Sequence, residues 1–192
     1  YMAGVGLESD PGQETTTAAL EKRDLTGFYV LVEKILETGE ELPDTWPVSG
    51  TTGYDFMKIL NGLFVDLDGL DVLDSLYTKV TGAQMDFAVL VNEQKRRVIR
   101  ELFPGEMANL AKELFRLASQ DPWGKDLALE SLKAALEGTT AAFPAYRTYT
   151  REFAVSPRDR KYIERALVEA AHHRDGSEQA RNFLRRVLLL DF

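Results

Sequence analysis

The 192-residue sequence predicts a mainly helical chain, a helical block with one or two short strands of the parallel type. Three observations carry that prediction. Apolar residues recur at helical spacing through most of the middle and end of the chain. One short run, Phe28-Tyr29-Val30-Leu31-Val32, is continuously apolar and rich in β-branched and aromatic residues, as in strands buried on both faces. The helical period also breaks over Ala141–Tyr149.

The elements follow in order. Tyr1–Gly12 is Gly-rich with a Pro and reads as a loose end, lacking the basic start and long apolar stretch of a signal peptide. Thr15–Arg23 has helix-forming composition, and Asp24–Gly27 breaks it. After the strand at Phe28–Val32 come two charges, Glu33 and Lys34, and then a loop over Glu37–Thr52 holding Gly, two Pro, Asp and Ser. Phe56, Ile59, Leu60, Leu63 and Phe64 form one apolar helical stripe. Asp66–Asp71 reads as a turn and Val72–Thr81 as a helix. A long helix through Phe87, Leu90, Val98, Ile99 and Leu102 is stopped by Pro104, and the next runs through Met107, Leu110, Ala111 and Leu114. Leu127–Leu136 gives another stripe, with Gly138 expected to end it. Phe143–Tyr149 is expected to be a second short strand, with Pro144 at its start. Ser156-Pro157-Arg158-Asp159 and Ser177-Glu178 each open a helix with a Ser cap.

Two lone strands flanking a helical block are odd in a free-standing domain. The layout makes sense if both belong to a parallel sheet lying mostly outside this chain, with the helices inserted between them. The expected division is a loose end at 1–14, a sheet-associated piece at 15–56, a helical insertion at 57–140 and a second sheet-associated piece at 141–192.

Composition narrows the function classes. The formal charge of −8 and pI near 4.9 repel polyanions, so no nucleic-acid partner is expected. The run Lys95-Arg96-Arg97 fits a solvated helix face. Cysteine is absent, which fits a reducing, cytoplasmic setting and rules out thiolate metal sites. The longest apolar runs are too short to span a bilayer, so no membrane partner is expected. Asp66-x-Asp68-Gly69-x-Asp71 lacks the glycine and final Glu placement of a calcium loop, and His172-His173 point different ways on a helix. No metal and no cofactor are expected.

Glu33 directly follows an apolar strand, the position where barrel enzymes place catalytic acids. Position alone also fits a solvated strand-end charge. In the loop Pro47–Asp55, Tyr54 could stack on a sugar ring and Asp55 accept from hydroxyls; equally, Thr52 or Asp55 could cap the following helix while Tyr54 packs locally. Arg147 and Tyr149 could line a cleft, or Arg147 could pair with a structural acid.

Several blocks, in order and spacing, resemble the maltooligosyltrehalose synthase family. They are Val32-Glu33-Lys34-Ile35-Leu36, Gly39-Glu40-Glu41-Leu42-Pro43, Trp46-Pro47-Val48, Gly50-Thr51-Thr52-Gly53-Tyr54-Asp55-Phe56, Asn61-Gly62-Leu63-Phe64-Val65-Asp66 and Phe143-Pro144-Ala145-Tyr146-Arg147-Thr148-Tyr149. Gly4–Asp24 carries no such likeness. The resemblance implies an internal piece of a larger (β/α)8 barrel enzyme of glycoside hydrolase family 13, the α-amylase type. Phe28–Val32 would be the fifth strand, Phe143–Tyr149 the sixth, and Glu33 the general acid/base. It also implies a nucleophilic Asp after the fourth strand and another Asp after the seventh, both outside this chain. The implied reaction converts the reducing-end α-1,4 linkage of a maltooligosaccharide to α,α-1,1 by intramolecular transglucosylation, for trehalose biosynthesis. The chain alone would then be inactive, and its orphaned strand edges would favour self-association. Two rival readings stand beside this one: another hydrolase or transglucosidase of the α-amylase group, and a stand-alone helical interaction module.

Overall fold

A computed structural model describes residues 28–37, 39–83, 86–151 and 153–191. The expected loose start and the helix at Thr15–Arg23 lie outside the described residues. The chain divides into two compact units, Tyr1–Asp66 and Leu67–Phe192.

In the first unit two strands pair in parallel, β1 (Leu31–Val32) and β2 (Gly50–Thr51), with Leu31 opposite Gly50 and Val32 opposite Thr51. Ser49 N–H donates to Val30 O at 2.7 Å, extending the pairing by one rung. Short parallel strands are present as expected, but with other bounds. The apolar run forms a strand only at its end, and Phe28 and Tyr29 are 96% and 78% exposed rather than buried on both faces. A doubly buried strand needs a ladder on each edge and a layer on each face. Among the described residues only β2 pairs with it. The partner itself comes from the segment expected to be loop. The helix α1 (Tyr54–Gly62) follows two residues later, its amino end set by Gly53 at φ +91°, a conformation that favours glycine.

The second unit holds six helices among the described residues: α2 (Leu67–Thr81), α3 (Phe87–Leu102), α4 (Pro104–Gln120), α5 (Leu129–Ala141), α6 (Pro157–His172) and α7 (Glu178–Leu189). Asp86 caps α3 by accepting from Ala88 N–H and Val89 N–H at 2.8 and 3.3 Å. Pro104 ends α3 and opens α4, where its missing N–H costs nothing. The two expected serine caps are present: Ser156 accepts from Asp159 N–H at 3.0 Å and Ser177 from Ala180 N–H at 3.1 Å.

One core joins α4 to α7 through Leu114, Ala118, Leu132, Ala135, Ile163, Leu167, Phe183 and Leu184. A smaller cluster of Ile99, Met107 and Ala141 fastens α3. The alanines let the helix axes approach closely, and the leucines and Phe183 fill the remaining volume. In contrast, α1 and α2 contain no buried residue, and their apolar stripes face solvent.

Three further expectations are corrected. Asp66–Asp71 is not a turn: α2 begins at Leu67, because Leu70, Leu73, Tyr77 and Val80 keep helical spacing and a single Gly69 costs only about 1 kcal/mol. Gly138 lies inside α5, buried, where an added Cβ would collide with the Asp175 side chain. Phe143–Tyr149 is irregular and forms no strand. A strand exists by its ladder, and this segment, with no N–H at Pro144, pairs with none among the described residues.

Candidate functional site

Glu33 stands immediately after β1. Lys34 N–H donates to Val32 O at 3.1 Å, which makes Glu33 the central residue of a three-residue turn, exposed to solvent. The next residue does the opposite. Lys34 is buried, and its Nζ donates to Glu40 Oε1 at 2.7 Å; the two side chains are 5% and 1% exposed. Glu40 Oε2 also accepts from Glu37 N–H at 3.2 Å. Gly39, at φ +77°, permits the reversal that brings Glu40 back. The segment after Glu33 is therefore held by a buried ion pair as well as by its backbone.

Because β1 and β2 run parallel in register, Glu33 and Thr52 leave the pair at the same carboxyl end. Thr52 and Gly53 then lead into α1, whose first residues are Tyr54 and Asp55. Thr51 Oγ1 donates to Asp55 Oδ2 at 3.0 Å and accepts weakly from Gly53 N–H at 3.4 Å. Asp55 thus bonds Thr51, and no side chain caps α1. Tyr54, the first residue of α1, is half-buried.

Arg147 and Tyr149 belong to the second unit, in the irregular segment after α5. The Arg147 guanidinium lies over the Tyr149 ring, 5.2 Å from its centre, and its Nε donates to Thr148 O at 3.1 Å. They meet each other. His172 and His173 both approach the single carboxylate of Glu169, at 3.7 and 3.4 Å, which is salt-bridge geometry.

Sequence reasoning missed the Lys34–Glu40 pair. Its signal was present: opposite charges six apart on either side of a turn glycine. Lys34 stood in the sequence only as one of two charges following the strand, which hid it. In the helical unit, Arg186 on α7 holds Asp121 at the end of α4, Nη2 to Oδ2 at 2.8 Å. That guanidinium, with smaller help from the Trp123 and Gly124 N–H groups, keeps the Asp121 carboxyl below its ordinary range despite partial burial.

These elements define the class: a mainly helical chain with one short parallel strand pair, presenting an acid and a Gly-rich loop at the pair's carboxyl end. No family model matches it. Over 101 residues, 52% of this chain, it is 29% identical to two sequences named maltooligosyl trehalose synthase, from Mycobacterium tuberculosis strains CDC 1551 / Oshkosh and ATCC 25618 / H37Rv. The match covers 13% of each relative. A solved structure described as a glycosyltrehalose synthase is 28% identical, with a TM-score of 0.56, over 88% of this chain and 21% of that one. The chain resembles part of the maltooligosyltrehalose synthases, and it spans a small fraction of their length. Among the described residues no helix is long and apolar enough to cross a membrane.

Proposed function

We propose that this chain is an internal part of an α-amylase-type barrel enzyme that isomerises maltooligosaccharides to trehalose-ended glucans, with Glu33 as general acid/base. The observation that carries the reading is the parallel pairing of Leu31–Val32 with Gly50–Thr51, which sets Glu33 and the Thr52–Asp55 loop at one carboxyl end. Catalytic groups of (β/α) barrels occupy that end of their strands. The likeness to the two trehalose synthases and the glycosyltrehalose synthase structure supports the substrate class.

A retaining mechanism needs two carboxyl groups about 5–5.5 Å apart. Glu33 protonates the O4 of the terminal glucose as the α-1,4 bond breaks, while an aspartate outside this chain bonds to the anomeric carbon. Glu33, now a carboxylate, takes the proton from the C1 hydroxyl of that same glucose as this oxygen displaces the aspartate. The product is α,α-1,1-linked, and no water is consumed. Tyr54 and Asp55 contact the substrate; the aromatic ring supplies stacking surface and the carboxylate accepts hydrogen bonds. The reaction needs no cofactor. A cytoplasmic setting agrees with the absence of cysteine. With one of the two carboxyl groups elsewhere, the isolated chain does not turn over substrate.

Product analysis on the full-length protein tests the reaction. Maltopentaose should lose its reducing end without shortening. Release of glucose or shorter maltooligosaccharides would instead assign the protein to another member of the α-amylase group.

A further inference from the structure

In the helical unit, Trp123 sits in the 121–126 turn between α4 and α5 with its side chain largely in water, the residue being 85% exposed. Beside it, Gln179, Asn182, Phe183 and Arg186 recur on α7 at i, i+3, i+4 and i+7, one face of the helix. With Asp191 these residues line an open depression of about 490 Å³. That volume falls within the roughly 300–1,000 Å³ typical of small-ligand sites.

The indole contributes little to the core, yet its backbone is held firmly. Trp123 N–H donates to Asp121 Oδ1 at 2.7 Å, and that carboxylate is gripped by Arg186. The adjoining Gly124 is buried so tightly that an added Cβ would come within 2.9 Å of Ala118 O and 3.1 Å of Phe183. The turn is therefore seated against both α4 and α7 before any ligand arrives, which lowers the entropic cost of binding.

The chemistry of the lining selects the ligand. The Arg186 charge is already matched by Asp121, and Asp191 adds a carboxylate, so the site has no surplus positive charge for an anion. The Gln179 and Asn182 carboxamides each offer donors and an acceptor and have no partner among the described residues. A flat aromatic platform beside carboxamides suits a neutral molecule with one C–H face and a rim of hydroxyls, which describes a pyranose ring. We propose that this depression binds a short α-1,4-linked glucan, roughly two sugar rings long. The carbohydrate class follows from the lining; the α-1,4 linkage rests on the function proposed above.

The test is a fluorescence titration of the 192-residue chain. Trp46 and Trp123 are its two tryptophans, so a Trp46→Phe variant reports on Trp123 alone. Maltotriose should change that emission saturably. Gln179→Ala with Asn182→Ala should weaken binding at least tenfold, and Trp123→Ala, read by calorimetry, should abolish it while far-UV circular dichroism stays unchanged. Trp123→Phe, read by calorimetry, should retain part of the affinity, because a ring remains. No saturable response in the Trp46→Phe variant, or equal binding of cellotriose, would overturn the proposal. Binding requires no turnover, so the two ideas fail separately. A full-length protein that makes trehalose-ended glucans without binding here removes only this site. One that binds here but shortens maltooligosaccharides removes the reaction proposed above.

Discussion

Lys34 and Glu40 bury opposite charges beside the residue proposed to carry the chemistry, and burial makes each dependent on the other. Removing one partner leaves an uncompensated charge in a poorly hydrated place, which typically costs about 3–5 kcal/mol, whereas replacing both by apolar groups is often neutral. Lys34→Met, which orphans the Glu40 carboxylate, should lower the urea stability of the first unit by about 3 kcal/mol, followed through Trp46 emission. Lys34→Met with Glu40→Leu should recover most of it. Full loss in the double variant would mean that the pair itself, and not the orphaned charge, stabilises the loop. Asp121 gives a pH signature in the helical unit. Its folded-state carboxyl titrates below the unfolded value of 3.8. The unfolded chain therefore takes up its proton first as the pH falls. The stabilisation is complete above the unfolded value and disappears as the pH drops through the lower, folded one. Urea midpoints from about pH 6 to pH 3 should fall in the wild type, and less steeply in Asp121→Asn.

Gly138 decides an issue at the scale of the element. Gly→Ala inside a helix normally stabilises by up to about 1 kcal/mol, because alanine is the better helix former. Here an added methyl would meet Asp175, which Arg96 holds through two hydrogen bonds at 2.8 and 2.6 Å. Gly138→Ala should therefore destabilise the helical unit by about 1–3 kcal/mol in thermal or urea unfolding. Adding Asp175→Gly, which removes the whole side chain including its Cβ, should make the methyl harmless; a stabilised single variant would refute the packing. This glycine also marks where sequence reasoning ended. Helical stripes and the Ser156 and Ser177 caps were legible because they are local: spacing, a cap and a proline suffice. Gly138 resembled a stop signal, since what fixes it is a side chain 37 positions away, Asp175. Two short parallel strands are present as expected, but their bounds and pairing were illegible for the same reason. Phe28–Val32 has the composition of a buried strand, yet ladder formation depends on partners, and the partner came from Gly50–Thr51 inside a loop-like segment. Around the candidate site, the place of Glu33 at the end of a strand was legible from the apolar run before it, and the buried Lys34–Glu40 clamp was not.

At the scale of the whole molecule, α1 and α2 carry apolar stripes with no buried residue, and Phe28 and Tyr29 stand in water beside a short strand pair. Apolar surface of that extent, together with a strand edge, drives association. The isolated 192-residue chain should elute at a size that grows with concentration, whereas a strictly monomeric profile would show those faces to be satisfied without a partner. The same surface fits a chain that is one part of a larger enzyme, matching 21% of the glycosyltrehalose synthase structure. The central claim is that Glu33 is the acid/base of that enzyme, and substitution at Glu33 in the full-length protein tests it most directly. Wild type and Glu33→Gln are incubated with maltopentaose while reducing ends are counted. The wild type should lose reducing ends, and the variant should do so at a rate lower by about two to four powers of ten. A variant of near-normal activity would make Glu33 a solvated strand-end charge and contradict the account.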